Sequence, residues 1–195
     1  MLALQIAIIP LDKRGILIHN INMDKWIHNK LCSRFSQLKS LTALDLGCGE
    51  GLNAVGLAKL GVEVTAVDRQ VAMIERTRKL ANKEKAIIIT EVNKIQDFQS
   101  DTKYDIVLFT HVLHFIPSEN RERIVQKVVD LVKTGGVLIF ADLEDDFPVP
   151  AECLSLLETS LKDIKTERFS VKDEPHLGAD YPHQHKAFYL IGVKK

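Results

Sequence analysis

A chain of 195 residues, 46% of them hydrophobic, has the size and apolar content of one α/β domain with a full core and no window that reads as disordered. Its 26 basic and 26 acidic residues balance, so nothing in the total charge draws it to nucleic acid, and a small-molecule partner is expected. Cys32, Cys48 and Cys153 show no metal or redox spacing, which fits a reducing, cytoplasmic setting.

The N-terminal run MLALQIAIIPL is apolar, but Asp12, Lys13 and Arg14 follow it, whereas a secretory leader carries its positive charge ahead of the apolar part. No apolar run is long enough to cross a bilayer, so the expectation is a soluble monomer or homodimer with no membrane partner. Residues 1–22 read as a hairpin, with LALQIAII and ILIHNI joined through the turn chemistry of Pro10 to Gly15. Residues 23–40 carry a helical period in Trp26, Ile27, Leu31, Phe35 and Leu38. Such a helix can lie over a cofactor cleft with Trp26 lining it, or simply pack onto a sheet.

Strict alternation follows. Strands are predicted at Thr42–Leu46, Val62–Val67, Ala86–Thr90, Asp105–Thr110 and Val137–Ala141, and helices at Leu52–Leu60, Val71–Lys83 and Ser118–Val132. Ser118 is the expected N-cap of the third of these helices, and Lys133-Thr134-Gly135-Gly136 the turn after it. Strands that are apolar throughout, separated by helices, imply a parallel sheet covered on both faces. Beyond Pro148 and Pro150 come a helix at Glu152–Leu161 and strands at Ile164–Val171 and Lys186–Val193. With no crossover helix between them, the last two strands should pair antiparallel. The whole reads as a single domain: an N-terminal extension over 1–40, a cofactor-binding core over 41–142, and a C-terminal helix and strand pair over 143–195.

The most informative stretch is Leu44-Asp45-Leu46-Gly47-Cys48-Gly49-Glu50-Gly51, a buried strand running into a glycine turn. A nucleoside ligand lies across the carboxyl ends of the first strands, at the topological switch point, and glycine lets it approach the backbone there. Asp68 stands 21 residues after Gly47, at the end of the second strand, where a carboxylate can accept from both ribose hydroxyls. A dinucleotide fingerprint G-x-G-x-x-G would need glycine at Leu52 or Ala54. The spacing is instead G-x-G-x-G, preceded by the acid Asp45, and a pyrophosphate has no use for that charge. S-adenosylmethionine (SAM) carries a sulfonium and an ammonium, which Asp45 can favour. Cys48 has no basic neighbour in the sequence and is read as a small filler of the turn.

LDLGCGEG, VTAVD ending in Asp68, YDIVLFTHVLHFI and LVKTGGVLIFAD together resemble the successive motifs of class I SAM-dependent methyltransferases over residues 41–142. The resemblance implies a Rossmann-like fold of seven strands, mostly parallel with an antiparallel last strand, and helices on both faces. It also implies SAM as cofactor and S-adenosylhomocysteine as product. The cofactor contacts it implies are Asp45, Gly47, Cys48, Gly49, Gly51 and Asn53, then Asp68 and Arg69, with Asn93 at the adenine amino group and Thr110 and His111 toward the methionine end.

The Gly-Glu-Gly-Leu-Asn order at 49–53 and the tail KDEPHLGADYPHQHKAFYLIGVKK resemble the tellurite-resistance protein B family of small methyltransferases. That resemblance implies a small acceptor, such as a tellurium or selenium oxyanion or a thiol, held near the last interstrand loop. His176, His183 and His185 fall within ten residues there, though Leu177 follows His176 where tellurite-methylating members tend to have arginine. The histidines with Trp26 could hold the acceptor, could form a metal site with Asp173, Glu174 and Asp180, or could be ordinary loop residues. His176 and His111 are the candidate bases if the acceptor is oxygen or nitrogen. Two other functions share the glycine turn: a SAM-binding regulator without catalysis, and an NAD(P)-dependent dehydrogenase, which Leu52 disfavours.

Overall fold

The computed structural model describes residues 24–144, 148–173 and 183–195. The predicted hairpin of residues 1–22 and the loop histidine His176 lie outside them. In chain order the elements are α1 (Lys25–Arg34), β1 (Thr42–Leu46), α2 (Leu52–Lys59), β2 (Glu63–Asp68), α3 (Val71–Glu84), β3 (Ile88–Val92) and β4 (Tyr104–Thr110). After a 3-10 turn at Leu113–Phe115 come α4 (Ser118–Asp130), β5 (Val132–Leu143), α5 (Ala151–Ser160), β6 (Leu161–Asp173) and β7 (His183–Lys194). The seven strands form one sheet in the order β3-β2-β1-β4-β5-β7-β6. β1 to β5 are mutually parallel, and β7 runs antiparallel to both β5 and β6.

Strands β1, β2, β4 and β5 alternate between two cores. Leu44, Leu46, Val107, Phe109, Leu138 and Phe140 meet Ile124, Val125, Val128 and Val129 of α4 and Leu157 of α5 on one face. Ala43, Val64, Ala66, Ile106, Leu108 and Ile139 meet Ile27 and Leu31 of α1 and Ala54 and Leu57 of α2 on the other. Burial on both faces is why these strands lack a polar alternate and read as continuous apolar runs. No helix among the described residues is long and apolar enough to cross a membrane.

Three local readings need correction. Lys133–Gly136 is not a free turn but a bulge inside the long strand β5, where Tyr104 pairs with Val132 and Ile106 with Val137. The extra residues are accommodated because Gly135 takes φ +79 and Asp105 clamps the distortion. Ser118 is the first residue of α4 rather than its cap; Pro117 occupies the cap position and makes no side-chain bond there. The helix expected over 23–40 stops at Arg34, because Phe35 is already extended.

Asp105 joins three parts of the chain. Its Oδ2 accepts from the Thr42 N–H at 2.9 Å, the Thr42 hydroxyl at 2.8 Å and the Lys133 ammonium at 2.9 Å. Partial burial opposes its charge, but the Thr42 and Lys133 donors outweigh it and hold the carboxyl below the usual range. Asp105→Ala is expected to cost roughly 2 kcal/mol, since it orphans several donors at once. Urea denaturation of the variant checks this, with Lys133→Met as the milder companion because it leaves both Thr42 bonds intact.

Candidate functional site

A cavity of about 460 Å³ opens where β1 and β4 lie side by side, with their helices departing to opposite sides. That is the switch point of an open α/β sheet, where the carboxyl ends of neighbouring strands leave a crevice. Asp45, Gly47, Cys48, Gly49 and Asn53 line it from the first turn, Asp68 and Arg69 from the end of β2, and Thr110 and His111 from the end of β4. Residues distant in sequence thus meet around one cavity.

The three glycines of the turn do different things. A Cβ on Gly47 would come within 2.5 Å of Val112, and one on Gly51 within 2.5 Å of Thr77, a fully buried side chain. Both therefore serve close packing of the chain on itself. Gly49 alone has nothing within 4 Å of its missing side chain, so its open side is available to a ligand. Gly51 sits outside the cavity lining, at the N-cap of α2 in the left-handed region, and contacts Thr77 instead.

Asp68 ties the two turns together. Its Oδ2 accepts from Gly49 N–H at 3.0 Å and its Oδ1 from Gln70 N–H at 2.8 Å. A carboxylate oxygen carries two acceptor positions, so each retains one beyond these bonds. Thr77 completes the brace by donating to the Gly49 carbonyl at 2.9 Å. Cys48 lies between, and burial together with the Asp45 and Asp68 charges pushes its thiol far above the ordinary range, which keeps it protonated.

Asp45 is the electrostatic centre. It is 2% exposed and forms no ion pair among the described residues. Burial raises its carboxyl to about 7, opposed by the Ala54 N–H and assisted by the nearby Asp68. A buried acid in this state favours any cation that enters the cavity.

Other residues land elsewhere. Asn93 does not line the cavity: its amide donates to Glu91 at 2.8 Å, and the adjoining wall is made by Ile95 and Gln96. Trp26 does not line it either. It packs on Ala141, Ala187 and Tyr189, because α1 rests on the β5–β7 side of the sheet. His183 and His185 lie in β7, opposite Asp173 and Val171 of β6. The apolar wall of Met73, Ile95, Phe115 and Ile116 was not anticipated, since residues of that type are indistinguishable in sequence from core.

Tyr189 and Asp24 were also missed. Tyr189 Oη lies 3.2 Å from His111 Nε2 and donates to Asp24 Oδ2 at 2.9 Å. Thr110 and Ala141 are partners across β4 and β5, and Ala141 and Tyr189 across β5 and β7, so sheet register sets this meeting. The other Asp24 oxygen caps α1 by accepting from Trp26 N–H at 2.8 Å, and Asp24 N–H donates to Asn53 at 3.0 Å. His114, one turn on from His111, is engaged by Asp142, whose carboxylate also accepts the His114 backbone N–H at 3.0 Å.

Comparison with known proteins agrees with this architecture. The family model described as tellurite resistance protein TehB matches residues 14–182. The crystal structure of TehB from Haemophilus influenzae superposes with a TM-score of 0.67 at 20% identity, covering 94% of this chain and 64% of that one. Magnesium protoporphyrin IX methyltransferase from Synechocystis, crystallised with S-adenosylhomocysteine, superposes with a TM-score of 0.69 at 17% identity, covering 87% and 80% of the two chains. In sequence, the ubiquinone biosynthesis O-methyltransferase of Rickettsia felis is 30% identical over 129 residues, or 65% of this chain and 52% of that protein. The chain spans about half the length of the O-methyltransferase relatives it matches.

Two expectations follow from the turn. Asp45 has a folded pKa of about 7 against an ordinary 3.8, so its contribution to stability is full below 3.8 and is lost as pH rises to about 7. Asp45→Asn removes that loss, and the ligand-free variant should exceed the parent by at least about 1 kcal/mol at pH 8, with the gap closing toward pH 4. Thermal unfolding across that range measures it. Gly51→Ala should destabilise by about 2 kcal/mol or more through its clash with Thr77, whereas Gly49→Ala should cost only about 1 kcal/mol and act mainly on ligand binding. Paired melting and binding curves separate the two.

Proposed function

The chain belongs to the tellurite resistance protein TehB family, and on that footing we propose that it transfers a methyl group from SAM to a small-molecule acceptor. The observation that carries this reading is Asp45, an acid buried in the cavity with no ion pair among the described residues. Such a site favours a cationic ligand and opposes a pyrophosphate.

The residues present fit the cofactor. The open face of Gly49 admits a ligand against the backbone, and the remaining acceptor positions of Asp68 suit a ribose diol. Asp45 suits the positive charge of the methionine part. Gln96, which lines the cavity beside Ile95, offers an amide in the role that sequence assigned to Asn93 and can both accept and donate at the base. Met73, Phe115 and Ile116 supply apolar wall that excludes water from the reacting centre.

When bound, SAM supplies an electrophilic methyl group on a good leaving group. The protein's remaining task is to align the acceptor and keep water out. His111 lines the cavity next to Thr110, and an imidazole at that position could serve to hold or accept a proton. A regulator that only senses SAM has no need of a base there, which favours an enzyme. The family description suggests tellurite as acceptor, and the named O-methyltransferase relatives suggest a hydroxyl.

Calorimetric titration with SAM, S-adenosylhomocysteine and NAD tests the reading. SAM and S-adenosylhomocysteine should each bind with one-to-one stoichiometry, and NAD should give no heat beyond dilution. Binding of NAD without a response to SAM would overturn the assignment.

A further inference from the structure

We propose that two copies of this chain form a two-fold dimer by pairing their β3 strands antiparallel about Ile88, with Ile87 of each copy opposite Ile89 of the other. This interface is independent of the methyl-transfer reading.

The starting point is an open edge with an apolar face. Among the described residues β3 is an outer strand of the sheet and pairs only with β2. One of its faces is covered. Ile88 packs against the core that includes α2, and Thr90 accepts a bond from Arg78 of α3. Side chains alternate along a strand, so Ile87, at its entrance, and Ile89 stand on the other face. The chain passes from β3 to β4 without a helix, and these two side chains are left 92% and 68% exposed. An unpaired strand edge with an apolar face is a template for a further strand.

The backbone is in phase for that pairing. Asn93 N–H donates to the Asp68 carbonyl, and Val92 is the register partner of Asp68. Along a ladder the N–H and C=O of one residue point to one side and those of the next to the other. Residues 89 and 91 therefore face β2, while Ile88, Thr90 and Val92 present their backbone groups to the open edge. With the axis at Ile88, the N–H and C=O of that residue meet their own counterparts, and Thr90 N–H meets the Ala86 carbonyl. Ala86 N–H is not needed, since it already donates to the Ala81 carbonyl after α3. Ile87 and Ile89 then oppose each other at non-hydrogen-bonded positions, where facing side chains come closest.

Charge fixes the register and the partner. With the axis at Ile88, Lys85 falls opposite Glu91 on both sides of the two-fold. Asn93 bonds one Glu91 oxygen, Oε1, which leaves Oε2 for the ammonium. An axis at Ile87 would set Ile89 against Lys85, and one at Ile89 would set Ile87 against Glu91. The strand is thus complementary to its own reversed copy, in charge and in apolar pairing, which points to a second copy of this chain. Antiparallel pairing sends the carboxyl ends of the two β3 strands in opposite directions, so both cavities stay open. The edge is short, and dissociation in roughly the micromolar range is expected.

Sedimentation velocity of the full chain, over a concentration series through the micromolar range, provides the first test. The protein should pass from monomer to dimer, and a monomer throughout overturns the proposal. Ile89→Lys should weaken dimerisation by about tenfold or more, because it sets a charge against Ile87 of the other copy. Its melting temperature and SAM binding should match the parent, since the side chain is exposed and lies outside the cavity lining. A dimer unaffected by this change lies elsewhere on the molecule, which also overturns the proposal.

The charged pair gives a second test that spares the apolar face. At low salt Lys85→Glu and Glu91→Lys should each weaken the dimer by a few fold, and the double reversal should restore it. Additive losses in the double variant rule out the register. Hydrogen exchange at the Ile88 and Thr90 amides tells a second copy from any other cover. Protection that rises with protein concentration supports the pairing, whereas protection independent of concentration assigns the edge to another segment of the same chain and overturns it.

Discussion

A carboxylate kept out of water without a counter-charge is the constraint around which the site is arranged. Asp45 could escape its situation only by taking a proton or by reaching a cation. Its backbone lies in β1, paired on both sides by β2 and β4, so it cannot move away. Its neighbour across the turn, Asp68, is tied by two backbone N–H groups. The fold therefore tolerates repulsion between two acids that it could have relieved with one lysine. Sequences under pressure for stability alone drift away from such arrangements, because buried unpaired charge is among the costlier faults a core can carry.

The same turn shows which details a sequence can carry. Period and alternation located every described strand and helix of the core, because burial on both sheet faces leaves a one-dimensional signature in Leu44, Leu46, Ile106 and Leu108. The glycine spacing also marked the cavity. What it could not separate was the cause of each glycine. Gly47 and Gly51 answer to Val112 and Thr77, which stand 65 and 26 residues away, and only Gly49 faces open space. The bulge at Lys133–Gly136 was misread for a related reason: turn chemistry inside a strand looks the same as turn chemistry at its end, and the arbiter is Asp105.

The site's second half was less legible. Asn93 and Gln96 are both amides just beyond β3, and which one faces the cavity depends on the path of the backbone after Val92. The bond from Asn93 N–H to the Asp68 carbonyl helps set that path by continuing the β2–β3 pairing one residue past the strand. Asp24 and Tyr189 are 165 residues apart and lie on elements whose meeting follows from strand order. No local pattern announces such a pair. Tyr189 reads as one more apolar position in β7, because its ring is buried and only its hydroxyl has a polar task.

His111 connects these two halves, and its backbone bears the cost. It sits at φ +58, a region that a residue with a Cβ enters only at a cost of about 1 kcal/mol or more. Glycine would remove that cost but would also remove the ring. The strain is held in place by the His111 N–H bond to the Ala141 carbonyl at 2.7 Å, which extends the β4–β5 ladder by one residue, and by Val112 packing beneath Gly47. The left-handed step turns the chain out of the sheet immediately after Thr110, so that His111 lies on the cavity wall while still reaching Tyr189. His114, three residues later, is engaged by Asp142. Position 111 thus touches both the cavity and the Tyr189–Asp24 pair.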